Sequence, residues 1–415
     1  MEAAVEFSTN SWLRKLFLEV LKPCREGSLT VKFPEGATIR FGAEDGSGVQ
    51  AEITIHSENF FKRIALFGDV GFGEAFVEGE WSSPEVSRVI CWFLSNLENT
   101  PTLSGSKRRW SPVNLMGSFH RLYHLARANH LEGSQKNIRA HYDFSNEFFA
   151  LWLDPTMTYS SAWFETPETS LEDGQIAKYE RLLSKLHLRP GMTLLEIGSG
   201  WGGLGILAAR KYGCKVTSLT LSKNQLQEAQ RRAAQAGVAD RVRFELQDYR
   251  KIRGQFDRIV SIEMIEAVGH EFHEDYFRQC HDLLKHDGLV AIQAILCPDT
   301  RYAQLKSRVD WIQRYIFPGS LLPSFGRIQE AIRNTGDLDL FSYEEMGLHY
   351  AETLRRWCST MMAKQEDVKK LGHDDREIRR WQYYFQYCAG AFQMRNITVA
   401  QLVFSRPNNP TLIPQ

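Results

Sequence analysis

Residues 194–203 read LLEIGSGWGG: an apolar run, an acid at Glu196, then glycines at 198, 200, 202 and 203. A buried parallel strand has this appearance where it feeds a tight turn and then a helix. Gly198, Gly200 and Gly202 let the backbone approach a nucleotide-like ligand that a side chain would repel. Gly198, Gly200 and Gly203 also satisfy G-x-G-x-x-G, a dinucleotide fingerprint. That fingerprint wants an acid about 20 residues later, for the ribose. Here the next strand, CKVTSLTLSKNQ (214–225), ends in Thr220, Ser222 and Gln225, with no acid. Glu196 inside the glycine motif is more typical of S-adenosylmethionine (SAM) sites, where an acid approaches the amino acid portion of the cofactor. The loop therefore calls for a cofactor and favours SAM.

Other clusters carry less. Glu263, Glu266, His270, Glu271, His273 and Glu274 crowd together, but HEFHE is not H-E-x-x-H, so a loop leading into a helix is expected and no metal. The mixed charges of 367–380 read as a solvated helical face. Trp311, Tyr315, Phe317, Trp357, Tyr383, Tyr384 and Phe392 suit core packing singly. As a set, some of them should face a substrate.

These residues need a scaffold, and 415 residues suffice for two domains. From residue 173 onward, helices alternate with strands (TLLEIG, KVTSLTL, RVRFELQD, FDRIVSIEM, GLVAIQAIL), the pattern of a doubly wound parallel sheet. Cofactors bind such sheets at the carboxyl ends of the strands. Residues 301–385 interrupt the alternation with helical, aromatic-rich sequence suited to a lid or channel wall, and 397–406 return as a final strand. Residues 1–100 read as a small α/β unit: a helix near 11–22, short strands, the turn-rich GDVGFGEAFVEGEW, and a helix near 84–97.

Fifty basic and fifty acidic residues cancel, so overall charge does not point to nucleic acid. Seven scattered cysteines without a C-x-x-C pair fit reduced thiols in a cytosolic protein. No signal peptide is apparent, and no apolar run approaches about 20 residues. Ser104–Arg139 is locally basic, with seven Lys or Arg against Glu132 and with Trp110, Phe119 and Tyr123 interleaved. It reads either as a solvated linker with an ordinary helix or as a segment that meets an anionic membrane surface.

Several segments in register resemble the cyclopropane-fatty-acyl-phospholipid synthase family, which includes the mycolic acid cyclopropane synthases. They are NIRAHYDFSNEFFALWLDPTMTYSSAWF (137–164), LLEIGSGWGGL, TLSKNQ, FDRIVSIEMIEAVG, WIQRYIFPGSLLPS, GLHYAETLRRW and YYFQYCAGAFQMRNITVAQLVFSR (383–406). The resemblance implies a class I SAM-dependent methyltransferase, a Rossmann-like doubly wound α/β sheet with a helical insertion, over 137–415. It implies a smaller N-terminal α/β domain over 1–103, for lipid binding or dimerisation, and a basic linker over 104–136. The family methylates the double bond of an unsaturated fatty acyl chain of a phospholipid and closes a cyclopropane. A cytoplasmic enzyme at the inner face of the membrane, and a homodimer, are the matching expectations.

Carried over position by position, Tyr159, Ser160, Glu196, Gly198, Ser199, Gly200, Trp201, Gly202, Thr220, Leu221, Ser222 and Gln225 are expected to bind SAM. Gln247, Asp248 and Tyr249, with Arg250 the least typical, are expected to flank the adenine. The family's base is a bound bicarbonate, and the matching positions here are Ser161, Glu266, Gln293, the backbone of Ile295, and Tyr350. Ser161 and Gln293 depart from the family's cysteine and histidine; both still donate hydrogen bonds, but Gln293 cannot carry a positive charge. Cys388 matches a cysteine marked as active in the family, or is a structural thiol. Two alternatives stay open: a methylene or methyl-branched product without ring closure, and a non-catalytic lipid-binding protein.

Overall fold

The computed structural model describes residues 12–98 and 144–412. They fall into two compact units, divided between residues 118 and 119. The basic segment Ser104–Arg139, the proposed linker 104–136 and the unit boundary lie outside the described residues. No described helix is long and apolar enough to cross a membrane.

In the first unit, α1 (Trp12–Leu21) precedes β1 (Ser28–Lys32), β2 (Thr38–Gly42) and β3 (Gln50–Ile55), followed by α2 (Asn59–Val77), β4 (Trp81–Ser82) and α3 (Val86–Ser95). The sheet order is β2-β1-β3-β4, with β1 and β3 parallel. Sequence GDVGFGEAF, expected as turns, instead continues α2 beyond a break at Gly68 (φ 59°). Gly68 makes the bend, whereas Gly71 serves close packing: a Cβ on it would lie 2.2 Å from the Arg63 carbonyl oxygen. The same turns bury Phe72 against Trp81, ring centroids 4.4 Å apart.

The second unit opens with α4 (Asn146–Ala150) and α5 (Leu171–Ser184), both capped by a serine side chain. Next come β5 (Thr193–Ile197), α6 (Gly203–Tyr212), β6 (Lys215–Thr220), α7 (Lys223–Gln235), β7 (Val242–Leu246), β8 (Phe256–Ile262), α8 (His273–Leu283) and β9 (Leu284–Leu296). A helical stretch follows: α9 (Asp299–Lys306), α10 (Trp311–Tyr315) and α11 (Phe325–Arg333). After β10 (Asp339–Glu345) come α12 (Gly347–Ala363), α13 (Gln365–Lys370), α14 (Asp375–Gln393) and β11 (Thr398–Ser405).

The seven strands order as β10-β11-β9-β8-β5-β6-β7. β11 runs antiparallel to both of its neighbours, so the sheet is not wholly parallel as the alternation implied. Apolar layers cover both faces. One packs α8 and α11 on the sheet through Phe277, Cys280 and Ile328. The other packs α5, α6 and α7 through Leu182, Ala208 and Ala229. The strand order reverses beside β5, so the glycine loop after it opens at the switch point where such sheets bind ligands.

Candidate functional site

A cavity lies at the carboxyl ends of β5, β6 and β8. Tyr159, Ser160, Glu196, Gly198, Ser199, Gly200, Trp201, Thr220, Leu221, Gln225, Gln247, Asp248 and Tyr249 line it. Gly198 and Gly200 adopt left-handed φ of 96° and 49°, and a Cβ at Gly200 would meet no protein atom within 4 Å. The loop thus leaves open space beside Gly200 for a ligand. The side chain of Glu196 is buried, its Oε2 accepts from the Ser218 hydroxyl at 2.5 Å, and burial pushes its carboxyl up to about 8. The Thr220 hydroxyl donates to Gln225 Oε1 at 2.9 Å, which leaves the Gln225 amide nitrogen as the donor end. Asp248 caps the turn after β7 and pairs with Arg250 through both oxygens, at 2.9 and 2.7 Å. Burial works against the Asp248 charge, but the Arg250 hydrogen bonds outweigh it and lower the carboxyl below its usual range.

Two residues of the expected cofactor set do not line the cavity. Gly202 caps α6 with φ 88°, and a Cβ there would come within 2.9 Å of the Phe244 ring, so it serves helix-to-sheet packing. Ser222 caps α7, its hydroxyl oxygen accepting from the Gln225 N–H at 3.3 Å.

A second cavity lies under the helical stretch, walled by Phe317, Leu321, Leu354, Tyr384, Tyr387 and Phe392 among others. It is mainly apolar, as a hydrocarbon chain requires. Among the described residues three line both cavities: Tyr159, Glu263 and Ala267. Any group passing from one ligand to the other crosses there.

Glu263 follows β8 with φ 49°, a left-handed conformation rare for a residue with a long side chain. Its Oε1 accepts from the Ser161 N–H at 2.9 Å and from Gln293 Nε2 at 2.7 Å. Its Oε2 accepts from the Tyr350 hydroxyl at 2.8 Å. Gln293 is oriented in turn: its Oε1 accepts from Gln401 Nε2 at 3.2 Å, and Gln401 Oε1 accepts from Lys185 Nζ at 2.7 Å. This chain fixes which end of the Gln293 amide faces Glu263.

Glu266, three residues on, has a different environment. One oxygen accepts from the Ile295 N–H, while Oε2 is buried without a hydrogen-bond partner. Burial, then the charge of Glu263, pushes its carboxyl up to about 8. Burial raises Glu263 as well, but Lys178 and three hydrogen-bond donors favour its charged form. Lys178 is itself fully buried, donates to Ser160 Oγ at 2.6 Å, and is brought down to about 7 by burial. The donor sets therefore divide the acids: three hydrogen bonds and the Lys178 ammonium favour the carboxylate form of Glu263 against its burial, whereas Glu266 has the Ile295 N–H alone.

Residues 129–402 match the mycolic acid cyclopropane synthetase family. The chain belongs to that family. It is 38% identical to the tuberculostearic acid methyltransferase of Mycobacterium tuberculosis over 359 residues, 84% of this chain and 82% of that protein. It is 33% identical to the cyclopropane-fatty-acyl-phospholipid synthase of Escherichia coli over 372 residues, 88% of this chain and 91% of that protein. Among solved structures it resembles the mycolic acid cyclopropane synthase CmaA1 complexed with SAH and CTAB, with a TM-score of 0.61 and 34% identity, covering 66% of this chain and 98% of that one. The chain is accordingly a SAM-dependent methyltransferase with the class I fold. The glycine loop, Glu196 and the Thr220–Gln225 pair fit that cofactor.

Within the family frame, Glu266, Ile295, Tyr350 and Cys388 wall the second cavity. Burial raises the Cys388 thiol well above its usual range, so it is no thiolate nucleophile. Ser161 and Gln293 do not reach either cavity; both lie behind Glu263. Ser161 contributes its N–H, while its hydroxyl donates to the Ala162 carbonyl at 3.0 Å. Of the aromatic set, Phe317, Tyr384 and Phe392 face the second cavity, whereas Trp311, Trp357 and Tyr383 are fully buried in packing. Among the described residues no His, Cys, Asp and Glu gather as a metal set. His273 is buried with neither ring nitrogen hydrogen-bonded. Glu263, Lys178 and Gln401 are the site residues that sequence reasoning missed as such. Only Glu263 carried a signal, an acid at the end of an apolar strand, as Glu196 is.

Proposed function

We propose that this enzyme transfers the methyl group of SAM to the double bond of an unsaturated fatty acyl chain of a phospholipid and closes a cyclopropane ring. The observation that supports this most directly is the meeting of a polar cofactor cavity with an apolar cavity at Tyr159, Glu263 and Ala267. When bound, the cofactor supplies an electrophilic methyl group. The chain's own residues do the rest. Gly198, Gly200 and Glu196 position the cofactor's amino acid end, and the Thr220–Gln225 pair its nucleoside. The apolar wall holds the acyl chain and excludes water that would otherwise quench the cation left on it. The faces of Tyr159, Phe317, Tyr384 and Phe392 surround that cation. The basic, aromatic segment Ser104–Arg139 would bring the enzyme to the anionic surface where such chains reside.

One relative's name favours a second reading, in which the cation loses a proton from a neighbouring carbon and a methylene chain or a methyl-branched chain that keeps a double bond results. Both readings are tested by incubating the purified protein with methyl-labelled SAM and vesicles of an unsaturated phospholipid. Mass spectrometry of the acyl chains is expected to show a gain of one CH2, and proton NMR a cyclopropane methylene. No mass gain refutes both readings; a gain without the ring signal refutes cyclopropanation.

A further inference from the structure

The family's bicarbonate does not fit the residues present. An anion in that position needs donors converging on it, and the donors that converge here are the Ser161 N–H, Gln293 Nε2 and the Tyr350 hydroxyl. All three are already engaged by the carboxylate of Glu263. We propose that Glu263 is the enzyme's built-in base, its carboxylate standing where a bound anion would otherwise be held.

Four observations carry this beyond the reaction proposed above, on which it rests. Among the described residues common to both cavities Glu263 is the sole carboxylate, so it borders the place where the transferred methyl arrives. It sits in a left-handed backbone conformation that a non-glycine residue keeps only where the surroundings enforce it. Its orientation is set by the relay Lys185–Gln401–Gln293, which holds the Gln293 amide nitrogen on Oε1. A carboxylate has about four acceptor sites. Oε1 uses two and Oε2 one, so one site on Oε2 remains for a proton.

The step balances within the site. A C–H bond of the transferred methyl breaks, its proton goes to Glu263 Oε2, and its electron pair forms the third ring bond to the cationic carbon. Ser161, Gln293 and Tyr350 act as positioning groups. Glu266 is the less favoured base, since it accepts from the Ile295 N–H alone and its Oε2 is buried with no donor to stabilise a charge.

The test has three arms, each scored on labelled acyl product and on SAM affinity by calorimetry. Wild-type enzyme in CO2-free buffer is expected to respond to added bicarbonate by less than about twofold; stimulation of tenfold or more overturns the proposal. Glu263→Gln keeps the shape and is expected to bind SAM normally while losing about 100-fold or more in turnover; near wild-type turnover overturns it. Glu263→Gly removes the carboxylate at a φ that glycine tolerates, and is expected to be slow and revived by bicarbonate. Full activity without bicarbonate, or no revival with it, overturns the equivalence of carboxylate and anion. A wild-type enzyme that transfers no methyl to any acyl chain instead refutes the reaction itself, and the role of Glu263 falls with it.

Discussion

Replacing Tyr350 with phenylalanine removes one hydrogen bond from the carboxylate at the junction of the two cavities. The hydroxyl donates to Glu263 Oε2 at 2.8 Å in a buried setting. Hydrogen bonds to charged groups contribute about 1.5–3 kcal/mol. At 1.36 kcal/mol per pKa unit, losing this one raises the Glu263 carboxyl by about one to two units. The sign is fixed: the donor stabilises only the ionised form, so without it a higher pH is needed to ionise Glu263. The acid limb of the kcat profile should therefore move to higher pH by that amount. Lys178 and Glu266 also act on the site's charge, but they are the same in both proteins, so the difference isolates the hydroxyl. The loss in turnover should be deep at low pH and shrink as pH rises, because a carboxylate with fewer donors is the stronger base. The ring left behind keeps its stack on Phe392, centroids 4.6 Å apart at 29°, so folding should be little changed. Tyr350 lines the acyl cavity and not the cofactor cavity, so SAM affinity should hold. Initial rates with labelled SAM and phospholipid vesicles across pH, beside calorimetric SAM titrations, measure both quantities. An acid limb that stays in place, or a SAM affinity that falls as far as kcat, refutes the reasoning.

Three other perturbations probe the same framework. Gly205→Ala on α6 would place a Cβ 2.8 Å from Glu196 Oε2, displacing that acid. SAM binding should weaken about tenfold or more, about 1.4 kcal/mol, by calorimetry, and an unchanged affinity would remove Glu196 from the cofactor site. Gln401→Leu leaves Gln293 Oε1 unpaired and frees its amide to turn away from Glu263. Turnover should fall roughly 5- to 100-fold with SAM affinity kept, whereas equal losses would mark Gln401 as structural only. His273 is held neutral, burial bringing it down to about 3, so the folded state cannot take up the proton the unfolded chain binds below about 6.5. Its contribution is present above that pH and is lost as pH falls towards 3. His273→Leu should thus gain about 1.4 kcal/mol on the wild type between pH 7.5 and 5.5, read from denaturant midpoints, and parallel pH responses contradict it.

What the sequence reveals depends on how local the determining physics is. The central strands are legible because both of their faces are covered, so each reads as an apolar run. β10 escapes notice because DLFSYEE is a half-exposed edge strand whose alternation mixes polar and apolar residues. The glycines of GDVGFGEAF read as turns, yet a glycine chosen for close helix packing has the same one-letter signature as one chosen for a bend. The cofactor cradle is legible for a related reason: one strand, one loop and one helix build most of it from contiguous residues. The acyl side is built otherwise. The donors to Glu263 come from residues 161, 293 and 350, and the amide that orients Gln293 comes from residue 401. Family correspondence located three of these positions but assigned them to a free anion, because a position-by-position reading asks what each side chain can donate. Two features lay outside that question. Ser161 reaches the site with its backbone, and a carboxylate from the strand next door occupies the place the donors surround. The second follows from the backbone path at the end of β8, where the left-handed turn at Glu263 aims an acid inward. A serine and a glutamine are sufficient around a carboxylate tethered to the protein, since a group that is already in place needs orientation more than it needs attraction.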